Sequence, residues 1–508
     1  MRWWPAVAIV ALSVAFHLWI WLGPEPTRQF RMIRTFVAAF LTVSLLLVWF
    51  LFLSRLRART RWLGLGVLLA LGLALGATVE IRGVTGDLLP LMAWRWSPHD
   101  RQLSPPALES RGAPRSDAPA RSPQFLGPDR NAVIRGVWLD PDWVERPPRE
   151  IWRRPIGAGW ASFAVADGLA VTLEQRGDQE LVTAYDLATG EPVWAHADAV
   201  RFENTIAGIG PRSTPTIAAG RVFTMGATGL LNALDLATGE PKWSRDVVAE
   251  HGGWMPEWGK SCSPLALVDL VVVCAGAGRG GALAAYRLGD GEPAWSSGDD
   301  RAAYASPILV TLAGVQQVVS VNDGTVMGHD PGDGTVLWKY EWSREQPNVA
   351  APLVLPENRL MVSKGYGVGA ELFSVKRGTF GFVTERIWKS PRLKLKFTHA
   401  VLHRGRIYGL DDGVLACLDP ETGERCWKKG RYGHGQLLLV EDLLLIQAEN
   451  GEVLLVEPTP EGPVERARIR PLHSKTWNVP TLAGNLLLVR NDREAVAFEL
   501  ALRPAPSG

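Results

Sequence analysis

The sequence predicts an all-β fold, an eight-bladed β-propeller preceded by three transmembrane α-helices. Three observations lead there: a short segment that recurs along most of the chain, the even spacing of its copies, and three apolar stretches confined to the N-terminal end.

The segment is clearest as Ala184-Tyr-Asp-Leu-Ala-Thr-Gly-Glu-Pro-Val-Trp194 and Ala233-Leu-Asp-Leu-Ala-Thr-Gly-Glu-Pro-Lys-Trp243. Weaker copies end at Trp295, where Arg287 replaces the Asp, and at Trp338 and Trp427; Trp152 and Trp388 keep only the closing Trp. Successive Trp residues are roughly 40 to 50 positions apart, the length of one four-stranded blade. Within each unit, short apolar runs alternate with Gly or Asp turns and no amphipathic helix intervenes, which excludes a helical solenoid. The Asp-x-x-x-Gly centre makes the last hairpin turn, with Gly taking the positive φ. The Trp then falls on the outermost strand, where its ring is expected to dock against the neighbouring blade's turn.

Six units run from Gly159 to Trp427, a degenerate seventh from Gly433 to Ile469, and three strands of an eighth from Asn478 to Leu500. Glu150-Ile-Trp-Arg-Arg154 has the outer-strand pattern with no hairpin before it. It is expected to complete the last blade, closing the ring and removing both exposed edges.

Trp3 to Leu22, Phe36 to Leu53 and Trp62 to Val79 contain no Asp, Glu, Lys or Arg, and each is about long enough to cross a ~30 Å hydrocarbon core. The first lacks a clear cleavage site and is expected to be retained. Arg55, Arg57, Arg59 and Arg61 between the second and third stretches outweigh Arg28, Arg31 and Arg34 with Glu25 in the preceding loop, so the four-Arg loop is expected in the cytoplasm and everything after Val79 outside it. From Leu103 to about Pro123 the chain is rich in Pro, Ala and Ser and reads as a linker. The expected division is therefore residues 1–80 as helices, 81–123 as juxtamembrane segment and linker, and 124–508 as propeller.

With 54 basic against 52 acidic side chains, net charge gives no reason to expect a nucleic-acid partner. The four cysteines form two close pairs, Cys262 with Cys274 and Cys417 with Cys426, each about a hairpin turn. Cross-strand disulfides and buried free thiols are both open; disulfides would persist only in an oxidising compartment.

The repeat Ala-x-Asp-x-x-x-Gly-x-x-x-Trp resembles the tryptophan-docking motif of the quinoprotein alcohol dehydrogenase superfamily, which includes pyrroloquinoline-quinone (PQQ) enzymes and the outer-membrane β-barrel assembly lipoproteins. The chain looks similar to membrane-tethered PQQ-binding-like repeat proteins of bacteria, in its helical N-terminus and in the phrases Gly86-Asp-Leu-Leu-Pro90, Trp94-Arg-Trp96 and Phe125-Leu-Gly-Pro-Asp-Arg130. The resemblance implies a quinoprotein-type propeller and, at most, PQQ with calcium as cofactor. The docking motif itself holds blades together and names no cofactor. The enzymes carry an adjacent Cys-Cys pair beside the quinone, and this chain has none.

Residues just before the innermost strands are expected to face the axial channel: Arg212, Lys260, Asn348, Lys396, His434, Lys475, Trp477 and Asn478. If they converge, this largely cationic set would attract a small anionic ligand or an acidic peptide, with Trp477 available for stacking. The opposing reading is that they are solvated loop residues or that carboxylates such as Asp299 and Asp300 neutralise them. Gly276-Ala-Gly-Arg-Gly-Gly281 matches a dinucleotide pattern, but a strand is expected after it, so it reads as a blade turn. His399 and His403, on a strand, would lie about 13 Å apart and could not share one zinc ion. The expected function is a non-catalytic binding or scaffold module of the cell envelope, with an envelope protein or small anionic ligand as partner; the alternatives are a divergent PQQ-dependent oxidoreductase or a sensor.

Overall fold

Alternating apolar runs and Asp-x-x-x-Gly turns fold into four-stranded antiparallel sheets, one per repeat. The computed structural model describes residues 3–23, 27–96, 121–252, 254–276 and 281–505. Residues 103–120 of the expected linker, Glu25 and glycine-pattern residues 277–280 lie outside them. The chain forms two compact units, Met1–Arg101 and Gln102–Gly508.

The first unit holds α1 (Trp4–Leu22), α2 (Arg28–Val48), extended by a π-helical turn (Trp49–Leu53), and α3 (Ala58–Thr78). All three are long and apolar enough to cross a membrane, with mean hydropathies of 2.0, 2.7 and 1.6. Helix α2 begins ahead of the expected Phe36 because Thr27 caps it, its hydroxyl accepting from the Phe30 N–H at 3.4 Å. Val79, expected to close the third span, instead opens a hairpin of β1 (Val79–Val84) and β2 (Pro90–Trp94).

In the second unit, seven consecutive sheets at 164–198, 216–246, 265–297, 308–341, 353–390, 400–431 and 436–469 form blades 1 to 7. Blade 8 joins the three strands within 481–499 to β4 (Arg149–Pro155), which pairs with Glu494–Glu499 as the outer-strand pattern predicts. Blade 7 gains a fifth strand, β3 (Val133–Ile134), parallel to its inner strand, which repeat counting does not show.

The core lies between blades. Val171, Val182 and Trp194 of blade 1 pack with Val222 and Leu234 of blade 2, and Ala483 and Leu488 of blade 8 pack with Val165 and Tyr185 of blade 1. The Trp residues dock as expected. The indole N–H donates to a carbonyl in the next blade's turn: Trp152 to Leu187 at 2.9 Å, Trp194 to Leu236 at 2.9 Å, Trp243 to Leu288 at 3.1 Å, Trp295 to Pro331 at 3.3 Å, Trp388 to Pro420 at 2.8 Å and Trp427 to Thr459 at 3.0 Å. The turn Gly is required twice over. Gly239 has φ +74°, and a Cβ there would lie 2.5 Å from the Trp194 ring. Trp338 departs from the pattern because blade 5 has a long hairpin, Gly369–Gly378 to Gly381–Ser390, in place of the Asp-x-x-x-Gly turn. Its indole N–H goes to Gln317 Oε1 of its own blade at 2.5 Å, while its ring meets Phe373 of blade 5 edge-on.

Candidate functional site: a blind cationic and aromatic mouth

The segments leading into the inner strands all lie at one end of the propeller axis, because every inner strand runs in the same direction around the ring. Their side chains form a nearly continuous collar. Trp160 of blade 1 lies 4.9 Å from Trp477 of blade 8 between ring centroids, Trp477 lies 4.9 Å from Phe397, and Phe397 lies 5.5 Å from His434. On the other side, Trp258 packs on Tyr304 at 5.3 Å and on Tyr366 at 6.4 Å. Two cations sit on these rings and a third on a neighbouring one: Lys475 Nζ is 3.8 Å from the Trp477 centroid and 4.9 Å from that of Trp160, Lys396 is 4.8 Å over Tyr366, and Arg212 is 4.5 Å over Phe202. Arg212 is held by the carbonyls of Ala207 at 3.2 Å and Gly208 at 2.9 Å, and Trp160 donates to that same Ala207 carbonyl at 2.7 Å.

Of the eight residues singled out in the sequence, Arg212, Lys396, His434, Lys475 and Trp477 meet at this collar. The other three turn into the wall, where broken strand ends leave carbonyls to satisfy. Lys260 Nζ donates to the Ala275 carbonyl. Asn348 donates to Asn322 O at 2.6 Å and accepts from Trp342 Nε1 at 2.6 Å, and Asn478 donates to Ala161 O at 2.7 Å. Asp299 and Asp300, considered as neutralising groups, pair with Lys339 and Arg344. The aromatic members Trp160, Trp258, Tyr304, Tyr366 and Phe397 were missed, although one signal was available. Tyr304 precedes Pro307 by the same spacing that separates Arg212 from Pro215 and Trp477 from Pro480.

Burial pushes Lys475 down to about 8; Asp492 and Glu449 oppose this, and Arg212 adds repulsion. Burial likewise lowers Arg212 to about 10. Behind Arg212, Glu180 is pushed up to about 7, mainly by burial and also by Asp198, against the Ala227 N–H and the charge of Arg212. Between its ordinary value and about 7, the folded state holds a proton the unfolded state has lost, so Glu180 makes stability fall as pH rises through that window. Glu180→Gln should therefore flatten the pH dependence of the unfolding midpoint between about pH 5 and about pH 8, gaining on the order of 2 kcal/mol relative to the parent at the alkaline end. Parallel curves for the two proteins would refute this.

The other end of the axis is plugged. Residues 121–134, part of which was expected to be linker, cross the channel from blade 1 to blade 7. Ser122 bridges Val165, Ile217 N–H donates to Pro123 O at 2.8 Å, and Val133–Ile134 joins blade 7. At the centre, Arg130 is buried and donates to the carbonyls of Ser263, Pro264 (2.9 Å) and Pro307 (2.8 Å). The phrase Phe125 to Arg130 is thus the plug. A cavity of about 300 Å³ remains beside it, lined by Leu126, Asn131, Val310, Leu353, His399 and Leu402.

Calcium with a quinone would need a set of oxygens at this collar. Glu449 accepts from Trp477 Nε1 at 2.8 Å on one oxygen and from the His434 N–H at 3.1 Å on the other. The Nδ2 groups of Asn348 and Asn478 donate to backbone carbonyls, Asn348 Oδ1 accepts from Trp342, and Asn478 Oδ1 is a buried oxygen without a hydrogen-bond partner among the described residues.

An eight-bladed ring with Trp-docked turns and an axial mouth defines a PQQ-like repeat propeller, and the chain has the repeat and fold of that superfamily. A family model described as outer membrane protein assembly factor BamB matches residues 177–429. Among solved structures, BamB from Moraxella catarrhalis is 14% identical with a TM-score of 0.52 over 70% of this chain and 99% of that one. Quinohemoprotein alcohol dehydrogenase from Comamonas testosteroni is 13% identical with a TM-score of 0.58 over 78% and 82%. The computationally designed Ika8 protein is 13% identical with a TM-score of 0.50 over 69% and 100%. No curated protein matches the sequence.

Proposed function

We propose that this chain is a non-catalytic binding module of the cell envelope, anchored in the cytoplasmic membrane by α1 to α3, with the propeller on the extracytoplasmic side and its axial mouth as the binding face. The observation that carries this reading is the gathering of Arg212, Lys396 and Lys475 on aromatic rings at the mouth of a channel whose far end is closed. Desolvated cations attract carboxylates, and Trp, Tyr and Arg are the residues that dominate binding interfaces. The ligand class is therefore an acidic segment of an envelope protein or a small anionic molecule. The Arg-rich loop between α2 and α3 supports the orientation, and a match to an assembly factor of the outer membrane supports a protein partner over a substrate.

The test is calorimetric titration of the full chain in detergent with an Asp- and Glu-rich peptide and, separately, with PQQ in calcium buffer. Saturable peptide binding is expected, weakened at least about tenfold, or roughly 1.4 kcal/mol, in Arg212→Ala/Lys396→Ala/Lys475→Ala and weakened further by salt. Calcium-dependent PQQ binding without peptide binding would replace this reading with an oxidoreductase; protease that fails to reach the propeller from outside spheroplasts would overturn the orientation.

A further inference from the structure

We propose that Cys262 and Cys274 close into a disulfide in the mature protein, stapling the wall of the channel between its cationic mouth and its plug. This does not depend on which ligand the mouth takes. Cys262 lies on the segment entering inner strand Leu265–Ala266, and Cys274 ends the next strand, Leu270–Cys274. The register pairs Leu265 with Val272, so the strands bring both sulfurs to the same end of the hairpin. The Cys274 N–H donates to Cys262 Sγ at 3.0 Å, and the Cys274 thiol reaches Ala305 O at 3.3 Å. No His, Asp or Glu side chain is hydrogen-bonded to either sulfur among the described residues, so the pair lacks the mixed donors of most metal sites.

In the folded wall the two sulfurs are held differently. Burial alone would raise the Cys262 thiol, but the thiol and N–H of Cys274 with the charges of Arg130 and Lys260 outweigh it and hold Cys262 below its ordinary value. Cys274 is pushed well above, by its bond to Cys262 and by burial. With glutathione disulfide as oxidant, the Cys262 thiolate attacks one sulfur and expels a glutathione thiolate, leaving a mixed disulfide. Cys274, losing its proton, attacks Cys262 Sγ and expels the second glutathione. Two electrons pass to the oxidant, and the two protons end on the two glutathione thiols. Both cysteines are at most 2% exposed, so exchange precedes closure of blade 3 on blade 4, and the bond is then shielded from reductant. The bridge matters because Cys262 lies between Lys260, which holds the Ala275 carbonyl beyond Cys274, and Ser263, whose carbonyl receives Arg130 of the plug.

The experiment is cell-free synthesis of the full chain into lipid nanodiscs, once in glutathione redox buffer and once in dithiothreitol. Acid quenching, denaturation, light alkylation, reduction and heavy alkylation follow, with peptide mapping. Cys262 and Cys274 are expected to switch from light label in dithiothreitol to heavy label in glutathione, and Cys274 to stay light under both conditions in Cys262→Ser, or in Cys262→Ala should the first variant not fold. Light label on both residues in glutathione overturns the proposal, as does heavy label on Cys274 in either variant, which would place its partner elsewhere.

Discussion

Arg490→Ala should destabilise the propeller by about 3 to 5 kcal/mol, the range for removing one partner of a buried charge network. Arg490 ends the second strand of blade 8 and is fully buried, reaching across the seam into blade 1. One guanidinium nitrogen donates to Thr172 Oγ1 at 2.8 Å and Leu173 O at 2.9 Å, and another to Gly157 O at 2.9 Å. Below it lies Glu174, which accepts from Thr183 Oγ1 at 2.7 Å, Tyr185 OH at 2.9 Å and Arg176 at 3.0 Å. Burial would raise the Glu174 carboxyl, but Arg176, Thr183, Arg490 and the Gly157 N–H outweigh it and keep it ionised. Removing Arg490 takes one positive charge away from Glu174, which Arg176 still pairs, and leaves two buried carbonyls without their donor. Arg490→Lys should recover only part of the loss, since one ammonium cannot reproduce the guanidinium's forked contacts to acceptors on two segments. Tryptophan fluorescence during urea unfolding, for the parent and both variants, measures the effect. Hydrogen exchange should show Leu169–Arg176 and Leu486–Arg490 opening first. A midpoint within error of the parent would mean that β4 alone closes the ring.

The sequence displays the ring but not this latch, for a physical reason. Blade number, hairpin turns, Trp docking and the closing role of β4 are repeated local solutions, and repetition makes them visible in one chain. Trp338 shows the limit: its motif survives, yet its docking partner depends on the next blade's hairpin, which has lost the turn. Arg490 and Glu174 occupy strand positions that read as solvent-facing, and only the meeting of blades 8 and 1, more than 300 residues apart in the chain, reveals them as buried. At the mouth, charge guided the reading to Arg212, Lys396 and Lys475, while, Trp477 apart, the rings beside them escaped because aromatic residues read as core. Lys260, Asn348 and Asn478 bond backbone carbonyls of the wall, because a polar side chain before a strand serves a broken backbone ladder as readily as a ligand.

Arg130→Ala should cost a similar amount, about 3 to 5 kcal/mol, and should act on the channel before it acts on the ring. Leu126, Ala132 and Ile134 of the plug are buried in the core of blades 6 to 8, and Arg130 is its polar anchor at the axis. Leu126, Arg130 and Ala132 all lie in the left-handed region, at φ +63°, +55° and +62°, a conformation unfavourable to residues other than glycine and sustained by surrounding contacts. Arg130 supplies the central contacts, and burial has already lowered its guanidinium to about 10, with Cys262 and Cys274 opposing the fall. Without it, the carbonyls of Ser263, Pro264 and Pro307 lose their donor while the plug's ends stay tied at Ser122 and Val133. Hydrogen exchange should therefore accelerate first at residues 122–134, with blades 1 and 7 still protected, and limited proteolysis should cut the plug while the ring remains folded. Because Ser263 follows Cys262 and lies three residues from Lys260, loosening the plug should also weaken acidic-peptide binding at the mouth. A variant whose plug stays protected while the whole propeller unfolds earlier would show that Arg130 braces blades 3 and 4, and that the plug is held from its two ends.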